Sequence, residues 1–295
     1  MGYGFLALAL LAGAAKGFCG KKTSGIITGL RDSVLANMLR MLLCVLLGLV
    51  IALIGSTPEA LLPNKELLGA AALSGISTAA FVVAWLCAVR KSAYMLVDVF
   101  LMLGVLIPLL LGNAFFQEAI APKQWIGISI LLVAVLLLCS YNNRIKARLT
   151  PASLALLVLC GVANGVTDFS QKLFTRLLPQ TPASVFNLYT YLFALISLAV
   201  CFTFFKPDSH ASHPRRFLKL FGYILIMAVC LFANSLFKTM AAVHLDSVLL
   251  YPLNQGMAMI LSTFMSAFFF RERITLTCAF GLLTAFAGLL VINVL

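Results

Sequence analysis

Acidic residues are few in this sequence. Nine Asp and Glu stand against 21 Lys and Arg in 295 residues, and charged side chains make up only 10% of the chain. Soluble domains carry about 25% charged residues, so a water-exposed globular surface is excluded. Long polar stretches are missing too: the longest non-apolar connections, Lys206 to Arg216 and Tyr141 to Thr150, are too short to hold a soluble domain. No cysteine pair has the C-x-x-C spacing. The eight Cys lie in or beside apolar runs and read as small buried hydrophobes, neither a zinc site nor a disulfide framework. The three His, at 210, 213 and 244, have no carboxylate or cysteine at ligand spacing, so no metal is expected. P-loop, Rossmann, nucleophile-elbow and HExxH patterns are absent as well. No enzyme, no cofactor and no ATP-driven transport by this chain are therefore expected. Met1 to Leu11 lacks the basic leader of a cleavable signal.

What is present is apolar. Hydrophobic residues make up 62% of the chain and mean hydropathy is +1.08, which points to a polytopic integral membrane protein. The net charge of +12 is spread over short turns and forms no basic domain, so it implies membrane orientation, with lipid and not nucleic acid as the partner. Ten apolar segments run over about 3–20, 34–54, 67–89, 93–115, 121–140, 152–174, 183–205, 217–243, 247–270 and 275–295.

The two halves repeat. A shift of 154 residues lays Phe115, Phe116, Glu118, Ile120 and Gly127 on Phe269, Phe270, Glu272, Ile274 and Gly281. Five segments precede the central loop and five follow it, and an odd number of crossings reverses the second half. The expected fold is all-α, with ten transmembrane helices arranged as two inverted five-helix repeats. These are residues 1–140 and 152–295, joined by a loop at 141–151. Turns after the odd segments, counted with the adjoining segment edges, hold 14 Lys and Arg, whereas those after the even segments, counted the same way, hold Lys65, Lys123 and Arg176. The positive-inside rule places the odd turns in the cytoplasm and both termini outside, with the plasma membrane as the expected location.

The last 45 residues carry a resemblance. Tyr251, Gly256, Phe269-Phe270, Gly281, Gly288 and Val291-Ile292-Asn293 resemble the final two helices of the small multidrug resistance proteins. They are also similar to the repeat that ends each half of EamA-type proteins in the drug/metabolite transporter superfamily. The resemblance implies a transporter and makes the sixth and eighth segments cavity walls. It implies termini inside the cell, opposite to the charge count. The glutamate that small multidrug resistance proteins use for both proton and cationic drug is replaced by Asn164 when matched on Lys172, and by Gly13 when matched on Lys21. Proton-coupled efflux of lipophilic cations by that mechanism is not expected.

Ionisable residues inside the segments cost about 2.5–3.5 kcal/mol or more unless paired or hydrated. Six charged residues belong to the segments and not to the turns and edges counted above: Lys16, Arg40, Asp98, Asp168, Lys172 and Lys238. Arg40 can snorkel to the interface and reads mainly as an anchoring or structural residue. Asn164, Asp168 and Lys172 fall at i, i+4 and i+8, forming one polar stripe. It either lines a cavity or is neutralised by an Asp168–Lys172 pair. Asp98 has no charged neighbour on its own helix; it either couples protons or pairs with Lys16 or Lys238. Asn234 lies one turn from Lys238, and Tyr251, Asn254 and Gln255 add hydrogen-bonding groups.

The expected substrate-binding set is therefore Lys16, Asn164, Asn234, Lys238, Tyr251, Asn254 and Gln255. Asp98, Asp168 and Lys172 are the coupling or cavity charges. The excess of ammoniums over carboxylates favours a small polar metabolite, anionic or zwitterionic, with protons as the candidate coupling ion. The expected function is secondary active transport by alternating access through a midplane site. A flippase for a lipid-linked polar headgroup and a non-transporting scaffold are the alternatives. The expected assembly is a monomer, with a dimer as its alternative.

Overall fold

The computed structural model describes residues 1–24, 26–27, 30–55, 57–91, 94–142, 150–204, 214–270 and 276–294. Its α-helices are α1 (Gly2–Ser24), α2 (Leu30–Gly55), α3 (Lys65–Lys91), α4 (Tyr94–Gly104), α5 (Leu106–Phe116), α6 (Pro122–Asn142), α7 (Pro151–Leu177), α8 (Ala183–Phe204), α9 (Pro214–His244), α10 (Ser247–Phe270) and α11 (Leu276–Val294). Seven of them, α1–α3 and α7–α10, contain stretches long and apolar enough to cross a membrane; the stretches Phe100–Phe116, Pro122–Ala134 and Ala279–Ile292 are shorter. Leu53, Leu136, Phe264 and Leu283 are each more than three-fifths exposed on the outer surface, which suits hydrocarbon and not water.

The fourth apolar segment, expected as one helix, is broken at Val105 into α4 and α5. Pro108 explains the break. Its nitrogen cannot donate to the Gly104 carbonyl, and its ring crowds that carbonyl, whereas in the first turn of α5 the missing N–H costs nothing. The break coincides with a close helix crossing. A Cβ on Gly104 or Gly161 would collide with backbone oxygen of the other helix, and one on Gly165 would strike the Gly104 oxygen, so α4 and α7 meet backbone to backbone.

Helix ends follow local chemistry. Thr150 caps α7, its Oγ1 accepting from the Ser153 N–H at 3.2 Å with Pro151 in the first turn. Asn64 Oδ1 accepts from Leu67 N at 2.6 Å at the start of α3. Gln117, in the left-handed region at φ 56°, ends α5 and turns the chain toward α6.

The principal helix contacts are α1 on α9, α3 on α7, α2 and α3 on α8, and α6 on α11. Glycines tighten the last of these: a Cβ on Gly127 would lie 2.9 Å from Gly288 O, and one on Gly288 would lie 3.0 Å from Gly127 O. Gly2 meets His244 and Leu245, while Glu118 meets Arg176 and Ser247. These residues mark one end of the bundle, called here the terminal end. The opposite end, toward which Lys21, Lys22 and Arg31 lie, is the basic end. The turn at 271–275, with Arg271, Glu272 and Arg273, falls outside the described residues, as does most of the 141–151 loop.

Candidate functional site

The polar stripe of α7 forms, but its charges pair differently from the intrahelical expectation. Asn164, Asp168 and Lys172 are all buried. Asp168 pairs with Lys238 on α9, Nζ donating to Oδ1 at 2.5 Å, and its Oδ2 accepts from Asn164 Nδ2 at 3.3 Å. Lys172 instead meets Glu118 Oε1 at 3.0 Å and donates to the carbonyls of Ala242 at 3.2 Å and Leu245 at 2.8 Å. The reason is axial. Lys172 lies one turn, about 5.4 Å, nearer the terminal end. There α9 ends, and its last carbonyls, lacking helical donors, take the ammonium.

A cavity of about 80 Å³ lies between α1, α3, α4, α7, α9 and α10. Six of the seven expected binding residues line it: Lys16, Asn164, Asn234, Lys238, Asn254 and Gln255. Phe81 and Trp85 add an aromatic wall, with the Lys16 Nζ 5.8 Å from the Phe81 ring centroid. Asn234 Nδ2 also donates to Ala9 O at 2.7 Å, tying α9 to α1. Tyr251, the seventh, is not in the lining. Fully buried, it donates its hydroxyl to the backbone oxygen of Asp168 at 2.6 Å and fastens α10 to α7, while Asn254 and Gln255 occupy the cavity-facing side of the same helix. Asp168 stands behind Lys238, and Lys172 lies toward the terminal end; neither is in the lining. The Asp98 side chain falls outside the described residues.

From the midplane the lining runs toward the basic end, reaching Gly17, Trp85 and Met265. Toward the terminal end the helices are bridged. Glu118, from the short α5–α6 connection, accepts from Arg176 at 2.7 Å and from the backbone N–H of Ser247 at 2.9 Å, at the start of α10. Arg176 also lies 3.6 Å from Asp246. Burial alone would raise the Glu118 pKa. The hydrogen bonds from Arg176 and Ser247 and the charge of Lys172 outweigh it and hold the carboxyl at about 2. One carboxylate thus joins the α5–α6 connection, α7 and the α9–α10 turn. Beside the cavity, Gln171, Ser235 and Asn187 link α7, α9 and α8 by hydrogen bonds and serve as interhelical glue.

Two site residues are underrated in the sequence. Glu118 shows there only as a repeat marker. Arg40 looks free to snorkel, yet it is only 4% exposed, so its head does not reach water. With Lys16, Phe81, Val82, Trp85 and Leu231 it lines a recess of about 10 Å³ that shares Lys16, Phe81 and Trp85 with the main cavity. The available sequence signal is depth. Arg40 stands ten residues into α2, about 15 Å from its basic end and near the bilayer centre.

The chain matches no family model and no curated protein. Among solved structures, a crystal structure described simply as that of a protein has the same fold. Its TM-score is 0.68 at 17% identity, covering 97% of this chain and 96% of that chain.

Proposed function

We propose that this chain is a secondary carrier of the drug/metabolite transporter type, moving a small polar solute through the cavity between α1, α3, α4, α7, α9 and α10 by alternating access. The observation that carries this reading is the cavity itself: polar side chains on four different helices, α1, α7, α9 and α10, converge at mid-depth in an otherwise apolar bundle. The terminal side is bridged by Glu118 and by the Asp168–Lys238 pair, so the arrangement corresponds to a carrier state closed at that end. Opening there requires breaking a few ion pairs, while closing the basic side requires Trp85 and Met265 to approach. The two steps are alternatives of one rocking motion.

The reading includes ten crossings, with α4 and α5 forming one broken crossing, in inverted repeats 1–140 and 152–295. Helix partners support it. The first helix of each half, α1 or α7, packs on the third helix of the other, α9 or α3, and the counterparts α2 with α8 and α6 with α11 pack on each other. Exchange of the halves maps this set of contacts onto itself.

The test is exchange in proteoliposomes preloaded with amino acids, sugars, carboxylates or sugar phosphates. Labelled solute should enter against its own unlabelled pool for one class, and Asn234→Ala or Gln255→Ala should slow it. Monodisperse protein that exchanges no class above protein-free vesicles refutes the carrier.

A further inference from the structure

Arg40 is a guanidinium near the bilayer centre with 96% of its surface removed from solvent, and its Nε has no hydrogen-bond acceptor among the described residues. None of the ion pairs among the described residues includes it. The other buried charges do have such partners: Asp168 has Lys238 and Asn164, while Lys172 has Glu118 and two carbonyls. A buried charge with no counter-charge among the described residues lowers stability there, and a ligand that arrives would account for its retention. The recess beside it is about the size of one water or one oxygen atom, and Lys16 forms another part of its wall. No carboxylate is among the described residues lining the recess or the main cavity.

We propose that Arg40 and Lys16 form an oxyanion subsite of the cavity, and that the solute carries a carboxylate or phosphate, one oxygen of which enters the recess. This rests on the cavity being the solute site and names the class of solute it takes. The planar guanidinium offers paired donors that match either group, whereas the Lys16 ammonium supplies a point charge. Phe81 and Trp85 line both the recess and the cavity, leaving Asn234, Asn254 and Gln255 to bind the uncharged polar remainder of the solute. A free metabolite and a phospholipid headgroup share this chemistry, and the test separates them.

The full chain, purified in neutral detergent, is melted with inorganic phosphate or acetate against chloride at equal ionic strength. A second arm uses nanodiscs of phosphatidylcholine with and without phosphatidic acid. Wild type is expected to be stabilised by the oxyanions in at least one arm. Stabilisation in the soluble arm identifies a metabolite, and stabilisation only by phosphatidic acid a lipid headgroup. Arg40→Gln is expected to melt higher than wild type in chloride, because an uncompensated charge is gone, and to bind the oxyanion roughly tenfold or more weakly. Should it not fold, Arg40→Lys keeps the charge without the fork and is expected to bind roughly tenfold more weakly as well. Absence of oxyanion-specific stabilisation in both arms overturns the subsite. So does an affinity unchanged in these variants. Oxyanion binding without proteoliposome exchange retains the subsite and removes the carrier; exchange of neutral or cationic solutes alone does the reverse.

Discussion

Replacing Glu118 with Gln keeps the size of the side chain and removes the charge that joins three elements at the terminal end. The folded carboxyl titrates at about 2 against an ordinary 4.5. At about 1.4 kcal/mol per pH unit, that difference corresponds to at most about 3.5 kcal/mol. Part of it comes from Arg176, whose side chain is 46% exposed, and solvent screening of that partner reduces the figure to about 2 kcal/mol. Lys172 contributes from the buried side, its side chain 3% exposed, and Glu118→Gln would leave it with carbonyls alone. Because the folded carboxyl titrates below the unfolded one, its stabilisation is fully present above pH 4.5. It is lost as pH falls toward 2. Melting of the detergent-purified variant should therefore fall several degrees below wild type at pH 7, and the gap should close on acidification to pH 3 and below. Adding Lys172→Met to Glu118→Gln should recover more than half of the loss, since the stranded ammonium goes with it. A gap of under about 1 °C at pH 7, or one that stays constant from pH 7 to 3, refutes the assignment of Glu118 as the bridge.

Asp168→Asn should cost about 3–5 kcal/mol by stranding Lys238, and Asp168→Asn with Lys238→Met should restore the yield of monodisperse protein, whereas pairing the first change with Lys172→Met should not. Gly161→Leu should abolish folding on size-exclusion chromatography because its side chain meets the α4 backbone. Gly222→Ala, with nothing within 4 Å of the added methyl, should raise stability by about 0.5–1 kcal/mol in melting experiments. For topology, a reporter active only in the cytoplasm and fused at residue 295 should stay silent if the terminal end faces outward; a bright fusion reverses the orientation.

The amino-acid order alone determined the class of protein and the faces of its helices. Scarce acids and long apolar runs leave a bilayer as the only solvent that suits the exposed Leu and Phe, and in a bilayer the backbone satisfies itself most readily as helix. Segment limits therefore fall close to the helix ends; one exception is the Val105 break, which Pro108 signals through its missing donor. Spacing also found the cavity-facing polar groups, Asn164, Asn234, Lys238, Asn254 and Gln255, because a helical period fixes which side chains share a face.

Only the tertiary structure decided which helix each face meets. Asp168 and Lys172 are one turn apart in sequence terms, yet each finds a closer partner: Lys238, 70 positions away, and Glu118, in a connection of a few residues. Tyr251 shares α10 with the cavity groups but turns its hydroxyl to the α7 backbone. Arg40 is held from water by neighbours on α3 and α9 that no local pattern names. Periodicity is a property of one helix, whereas ion pairing and burial depend on distances between helices. Those distances are set by where glycines such as Gly104 and Gly161 let two backbones touch.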